Sequence, residues 1–404
     1  MDAPPSKTLI RVLMPAMDGG GVERALVDLL HEIPEEPFAV ELVLFETRGP
    51  FLSVLPAHVK VSNIRDYIPQ YVDYFGRAYD YFLLARHGRL RRLVKVLSLL
   101  PARRRMRRHK IAKERYYARF LGSIETPLPP SDILLCFFGL GDELSTALAA
   151  KAWPADRKAK WSHTDLVANG FDASLSEKYL ASFDHLFGVS EPITNQLRYL
   201  FPAFSGSIMT MPNVISPQLI LEKSAESVAF DDEFDGIRIL TVGRLAPQKG
   251  YDIAIRVLAR LKEEKLRVRW YAMGVGNQER ELIHLAKSLG VSSDFVLLGF
   301  RENPYPWMLA CDLYVQPSRW EGYCITTTEA ALLGKPIVTT DTAGAREKFG
   351  NSDRAVIVPV DEEAIFEAVH KFCTALGNSL TPRQAAYPDL PVGKNAELLL
   401  SVLA

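Results

Sequence analysis

The run Arg319-Trp320-Glu321-Gly322-Tyr323-Cys324-Ile325-Thr326-Thr327-Thr328-Glu329-Ala330-Ala331 decides how this chain is read. The apolar residues before it, 312–317, have strand character, and Pro317 closes them. The residues after it continue a short helix until Gly334 and Pro336 stop it. The order is strand, loop, helix, with Glu321 in the loop and Glu329 within the helix. Gly322 allows a tight turn and lets a ligand come close to the backbone. The first amides of such a helix lack partners inside it and lie at the positive end of its dipole, which suits a phosphate. Glutamates do not hold phosphate; they accept hydrogen bonds from hydroxyls. A ligand with a central diphosphate and a hydroxyl-rich group at each end matches all three features. A nucleotide sugar has that form.

The spacing Glu, seven residues, Glu, with Gly after the first Glu, resembles the signature of the retaining glycosyltransferases of family four, which have the GT-B fold. The resemblance implies that Glu321 touches the sugar and Glu329 holds the ribose. It implies donor contacts from Gly322, Tyr323, Cys324, Ile325 and Thr326 as well. Cys324 stands where the family often has Gly or Pro.

A second stretch, Val242-Gly243-Arg244-Leu245-Ala246-Pro247-Gln248-Lys249-Gly250, follows an apolar strand and places two cations between glycines. Arginine offers a planar fork to phosphate oxygens and lysine a compact charge. The resemblance assigns Arg244, Lys249 and Gly243 to the donor diphosphate. The run Gly-Gly-Val-Glu-Arg-Ala-Leu-Val, with Gly20 and Gly21, resembles the family's N-terminal loop, which lies across the cleft near the phosphates and the acceptor. The pattern Trp161-Ser162-His163 resembles a position where a histidine reaches the donor sugar. Residues 274–277, with Gly274 and Gly276, and 297–303, with Arg301, border the base in this reading.

At 404 residues the chain is long enough for two domains. Hydrophobic residues make up 48% and charged residues 24%, as in a globular protein with full cores. The formal net charge is zero, so no global field points to nucleic acid. Four separate cysteines form no Cys-x-x-Cys pair, which favours a reducing compartment over zinc or disulfides. No apolar run reaches membrane-spanning length, and the first residues do not form a signal peptide.

Along the chain, strands are expected at 8–14, 39–45, 132–138, 160–163, 185–190 and 207–211. Ser190 should cap a helix over 191–199. The first domain then covers residues 1–213, and residues 214–236 read as a linker. Its acids Asp231, Asp232, Glu233 and Asp235 read as solvated charge rather than as a metal site. Residues 237–385 repeat the alternation of strand and helix, which implies a second parallel sheet covered on both faces. Residues 386–404 are expected to cross back to the first domain, as in GT-B enzymes. The expected fold is therefore α/β, two Rossmann-like domains facing each other across a deep cleft.

Residues 66–120 interrupt the pattern with aromatics and then cations. Between 86 and 115 there are thirteen Lys and Arg against Glu114 alone, with leucines at helical spacing. A basic helix with an apolar stripe fits an anionic membrane surface. That places the protein in the cytoplasm, peripheral on the inner face of the membrane, and no nucleic-acid motif accompanies the basic run. No cofactor or metal is expected beyond the nucleotide-sugar co-substrate. A nucleotide-sugar epimerase on the same fold is the alternative. A nicotinamide enzyme is disfavoured because the third glycine after Gly274 and Gly276 is replaced by Glu279.

Overall fold

A computed structural model describes residues 7–68, 117–118, 120–122, 124, 128–140, 143–168, 171, 173–226, 230–350, 352, 354–377 and 395–403. Gly141 and the basic segment 86–115 lie outside them. Seven strands form the first sheet: β1 (Thr8–Met14), β2 (Phe38–Leu44), β3 (Lys60–Asn63), β4 (Ser131–Cys136), β5 (Ala155–Ser162), β6 (His185–Gly188) and β7 (Ser207–Thr210). Their order is β3-β2-β1-β4-β5-β6-β7, and every pairing is parallel. The second sheet holds β8 (Ile237–Val242), β9 (Val268–Met273), β10 (Phe295–Gly299), β11 (Leu313–Gln316), β12 (Ile337–Thr340) and β13 (Ala355–Val358). Its order is β10-β9-β8-β11-β12-β13, again parallel. Strand order reverses between β1 and β4 in one sheet and between β8 and β11 in the other. Open parallel sheets bind ligands at such points, outside the carboxyl ends of the strands.

The strands are apolar because both faces are covered. In β8, Ile239 packs into the core of the second domain. Its neighbour Leu240 points the other way, into a cluster continuous with the first domain's core. Polar exceptions are paired. Arg11 on β1 donates to Glu41 on β2 at 2.9 Å and to the carbonyl of Pro129 at 2.8 Å, and Ser62 on β3 donates to the same carboxylate at 2.7 Å. Burial raises the Glu41 carboxyl, but hydrogen bonds from Tyr67, Ser62, Lys60 and Arg11 outweigh it and hold it down at about 2.

The linker is more ordered than its sequence implies. Pro217–Ser224 is a helix with proline in its first turn, and the Ser216 hydroxyl accepts from the Leu219 amide at 3.4 Å. It packs on the Tyr305–Ala310 helix of the second domain. Asp232 is not merely solvated: it takes Arg238 at 2.7 Å, Arg269 at 3.1 Å and the Tyr271 hydroxyl at 2.5 Å, which ties the linker to β8 and β9. The Asn395–Leu403 helix lies against the Gly21–Glu32 helix of the first domain, burying Ala396, Leu399 and Leu403.

Ser190 departs from expectation too. It precedes the Glu191–Leu200 helix but does not cap it with its side chain. Its hydroxyl donates instead to the Gly322 carbonyl of the second domain at 3.0 Å. The Glu191 amide that needs an acceptor finds one across the same boundary, Glu347 Oε2 at 3.2 Å.

Candidate active site

A cleft of about 360 Å³ lies between the domains at the carboxyl ends of both sheets. The loop after β1 contributes Gly19, Gly20 and Gly21, and the loop after β5 contributes His163. Opposite them stand Gly243, Arg244 and Lys249 after β8, Gly274 after β9, Arg301 after β10, and Glu321 to Thr326 after β11, apart from Gly322. Glu329 reaches the cleft from the Ile325–Leu332 helix.

At one end, Lys249 Nζ donates to Glu321 Oε1 at 2.6 Å. The Ser318 hydroxyl donates to the same oxygen at 2.6 Å. Glu321 is only 6% exposed, so this pairing compensates its burial. Burial works against the Lys249 ammonium, but the Glu321 carboxylate prevails and raises the lysine's pKa. Among the described residues, Oε2 meets Gln248 Nε2 alone, at 3.5 Å. Beside this pair Arg244 is exposed and makes no salt bridge or side-chain hydrogen bond among the described residues. The amides of Cys324, Ile325 and Thr326 also donate to no protein acceptor there. One guanidinium and three amides thus face one space with their donors unspent.

The other end is built differently. Glu329 is buried and accepts from the Tyr305 hydroxyl at 2.8 Å. Burial pushes its carboxyl up to about 7, against the pull of the Arg24 guanidinium and the Tyr305 hydroxyl. Arg24 comes from the first domain's Gly21–Glu32 helix, pairs with Asp28 at 3.3 Å and stands 5.5 Å from the centre of the Tyr305 ring. Burial likewise pushes Glu23 up to about 7, opposed by its helix amide and by Arg244.

His163 lines the cleft, with the Asn213 side chain and the Phe137 backbone as the polar groups beside its ring. Burial, followed by the charge of Lys160, pushes its pKa down to about 3, so the ring is neutral. A neutral imidazole both donates and accepts, which suits a hydroxyl.

Two glycines assigned to the donor do not line the cleft. A Cβ on Gly276 would lie 2.2 Å from the Leu245 carbonyl oxygen, so that glycine lets two loops pass within the domain. A Cβ on Gly322 would lie 2.2 Å from the carbonyl oxygen of His163, so that glycine lets the domains touch. The sequence reading missed Arg24 and Tyr305. Arg24 stood in the quoted glycine run, and that run was its only signal. Among the described residues no three His, Cys, Asp or Glu gather as a metal site, and no helix is long and apolar enough to cross a membrane.

Residues 226–378 match the family model described as glycosyl transferases group 1. The second domain is a glycosyl transferases group 1 domain. A Campylobacter jejuni N-acetylgalactosaminyltransferase, named for an N-acetylgalactosamine-N,N'-diacetylbacillosaminyl-diphospho-undecaprenol, is 32% identical over 192 residues, 46% of this chain and 51% of the relative. The lipopolysaccharide core biosynthesis mannosyltransferase LpsB of Rhizobium meliloti is 30% identical over 140 residues, 32% of this chain and 39% of the relative. The chain thus spans about half the length of these curated relatives or less. Anabaena HepE, solved in complex with UDP and glucose, superposes with a TM-score of 0.64 at 17% identity, covering 98% of each chain. That likeness is one of fold. The group 1 domain and the first domain together make the GT-B arrangement, two parallel-sheet domains facing across a cleft.

Proposed function

We propose that the protein is a retaining glycosyltransferase. It moves a hexose-type sugar from a UDP- or GDP-sugar to a hydroxyl of a glycan or lipid-linked glycan, in the synthesis of a cell-surface polysaccharide or lipopolysaccharide. The observation that carries this reading is the make-up of the cleft. Arg244 and residues 324–326, whose donors are unspent among the described residues, line the same cleft as the carboxylates Glu321 and Glu329. The group 1 domain and the names of the two curated relatives support the same reading.

In the reaction the bond between the anomeric carbon and the diphosphate oxygen breaks, and the electron pair leaves with the diphosphate. Arg244, the Lys249 ammonium and the amides of Cys324 to Thr326 stabilise that charge. Fixed donors of this kind are worth roughly 3–4 kcal/mol each. These donors suffice without a metal. Glu321 Oε2 and His163 orient the sugar hydroxyls, and Glu329 with Tyr305 holds the ribose. The acceptor hydroxyl attacks the anomeric carbon on the face the diphosphate leaves, and its proton passes to the departing phosphate oxygen. The basic residues 86–115 dock the protein on the cytoplasmic face of an anionic membrane, where a lipid-linked acceptor resides. Each Lys or Arg near that surface adds about 1 kcal/mol.

The test is incubation with UDP- and GDP-hexoses, with and without acceptor extract. Acceptor-dependent release of nucleoside diphosphate, retained anomeric configuration by NMR and indifference to EDTA are expected. Epimerised donor without acceptor overturns transfer in favour of isomerisation. An inverted product overturns retention, and chelator sensitivity overturns metal independence. Co-sedimentation tests the membrane part: binding to anionic vesicles that salt releases is expected, and equal binding to neutral vesicles overturns it.

A further inference from the structure

Beneath the Tyr323–Thr327 turn, on the side away from the cleft, lies Lys348 of the short Ala345–Phe349 helix. It is 7% exposed, and no described carboxylate stands within salt-bridge reach of it. Its ammonium donates to three acceptors: the Tyr323 carbonyl, the Cys324 carbonyl at 2.9 Å and the Thr327 hydroxyl at 2.7 Å. Thr327 passes its own proton to the Cys324 carbonyl at 2.7 Å. All three donor sites of the ammonium are thus used on one turn of backbone.

The consequence follows from peptide geometry. In a planar trans peptide the carbonyl and the next amide point in opposite directions. Drawing the Tyr323 and Cys324 carbonyls down to Lys348 aims the Cys324 and Ile325 amides the other way, out of the wall that these residues form on the cleft. Cys324 sits in the left-handed region, φ 55° and ψ 76°, and such a residue turns successive amides towards a common point, the concavity that binds anions. A buried ammonium without a counter-charge is costly, and an apolar side chain would pack there at less expense. Burial pushes its pKa down to about 8, against the pull of Cys324, Glu321 and Glu347.

We propose that Lys348 is a positioning residue for the diphosphate of the donor: it holds the Tyr323–Cys324 carbonyls so that two consecutive amides face the phosphates, and the bound anion supplies the counter-charge that the protein withholds. The inference deepens the proposed donor site and rests on that reading.

The test compares wild type with Lys348→Met, which keeps the length and apolar stem, and Lys348→Gln, which keeps a neutral donor. Inorganic pyrophosphate, UDP, GDP, uridine and guanosine are titrated calorimetrically or by NMR. Lys348→Met is expected to weaken pyrophosphate at least tenfold and the nucleoside diphosphate equally, while leaving the nucleoside unchanged. Lys348→Gln should fall between the two, and it carries the test if the methionine variant does not fold. A general loosening of the domain would weaken nucleoside and diphosphate alike, and that result overturns the proposal. So does wild-type affinity for pyrophosphate in both variants, or no pyrophosphate binding to the wild type. Pyrophosphate binding that depends on Lys348, with no binding of UDP or GDP, upholds the anion site and overturns the nucleotide-sugar reading instead.

Discussion

Two glutamates eight positions apart line the cleft, and the protein treats them in opposite ways. Glu321 is given an ammonium at 2.6 Å and a hydroxyl at the same distance, so its charge is matched before any ligand arrives. Glu329 is given a phenol and a distant guanidinium already engaged by Asp28, and burial lifts its carboxyl to about 7. In the proposed function, one carboxylate is a fixed acceptor beside the reacting carbon, and the other stays near its titration point until a ligand hydroxyl completes its surroundings. Residues of one type on one motif therefore differ through neighbours that come from elsewhere in the chain.

The sharpest way to break this contrast is Lys249→Ala. It removes a phosphate donor and strands the Glu321 charge together. Turnover at saturating donor should fall about 10²–10³-fold while the protein stays folded. Normal turnover would remove Lys249 from the site.

The next test concerns Glu329 and pH. Its folded pKa of about 7 lies above the ordinary 4.5. Between those values the folded state holds a proton that the unfolded state has lost. Stability therefore falls as pH rises through that window, and the loss is complete above the folded pKa. The full effect is about 3 kcal/mol. Glu329→Gln keeps an acceptor for Tyr305 and removes the titration. Its stability relative to wild type should rise between pH 5 and pH 8 in denaturant titrations. A constant offset over that range would show that Glu329 is not held in this way.

The smallest expected effect separates the ends by ligand. Glu329→Ala should weaken bare UDP or GDP about tenfold, the scale of one hydrogen bond to a charged group. Glu321→Ala should leave bare nucleotide binding near wild type and impair use of the sugar nucleotide. Equal loss of nucleotide affinity in both variants would erase the division.

Much of the architecture was legible because parallel strands covered on both faces read as apolar runs. Residues 8–14 are observed as a strand with the boundaries expected, and the alternation expected after residue 237 appears as β8 to β13. The short β3 was missed: Lys60 and Val61 are exposed, so it lacks that signal. The Pro217–Ser224 helix had a readable start, Ser216-Pro217, which the acidic residues after it obscured. In the site, the motif brought Arg244, Lys249, Glu321 and Glu329 to one cleft. Gly276 and Gly322 do not line the cleft, and a glycine required for backbone passage looks the same in sequence as one required for a ligand. Lys348 was invisible for a related reason. A lysine on a five-residue helix between Glu347 and Phe349 carries no sign that it faces inward.

The chain passes between the halves twice, once through the linker before β8 and once where the Asn395–Leu403 helix returns to the Gly21–Glu32 helix. A body hung from one thread swings in every direction. One attached at two places turns about the line that joins them. The Ser190 hydroxyl bonded to the Gly322 carbonyl and the close approach of the His163 backbone to Gly322 join the halves beside the cleft as well, so any such turn has to part these contacts first.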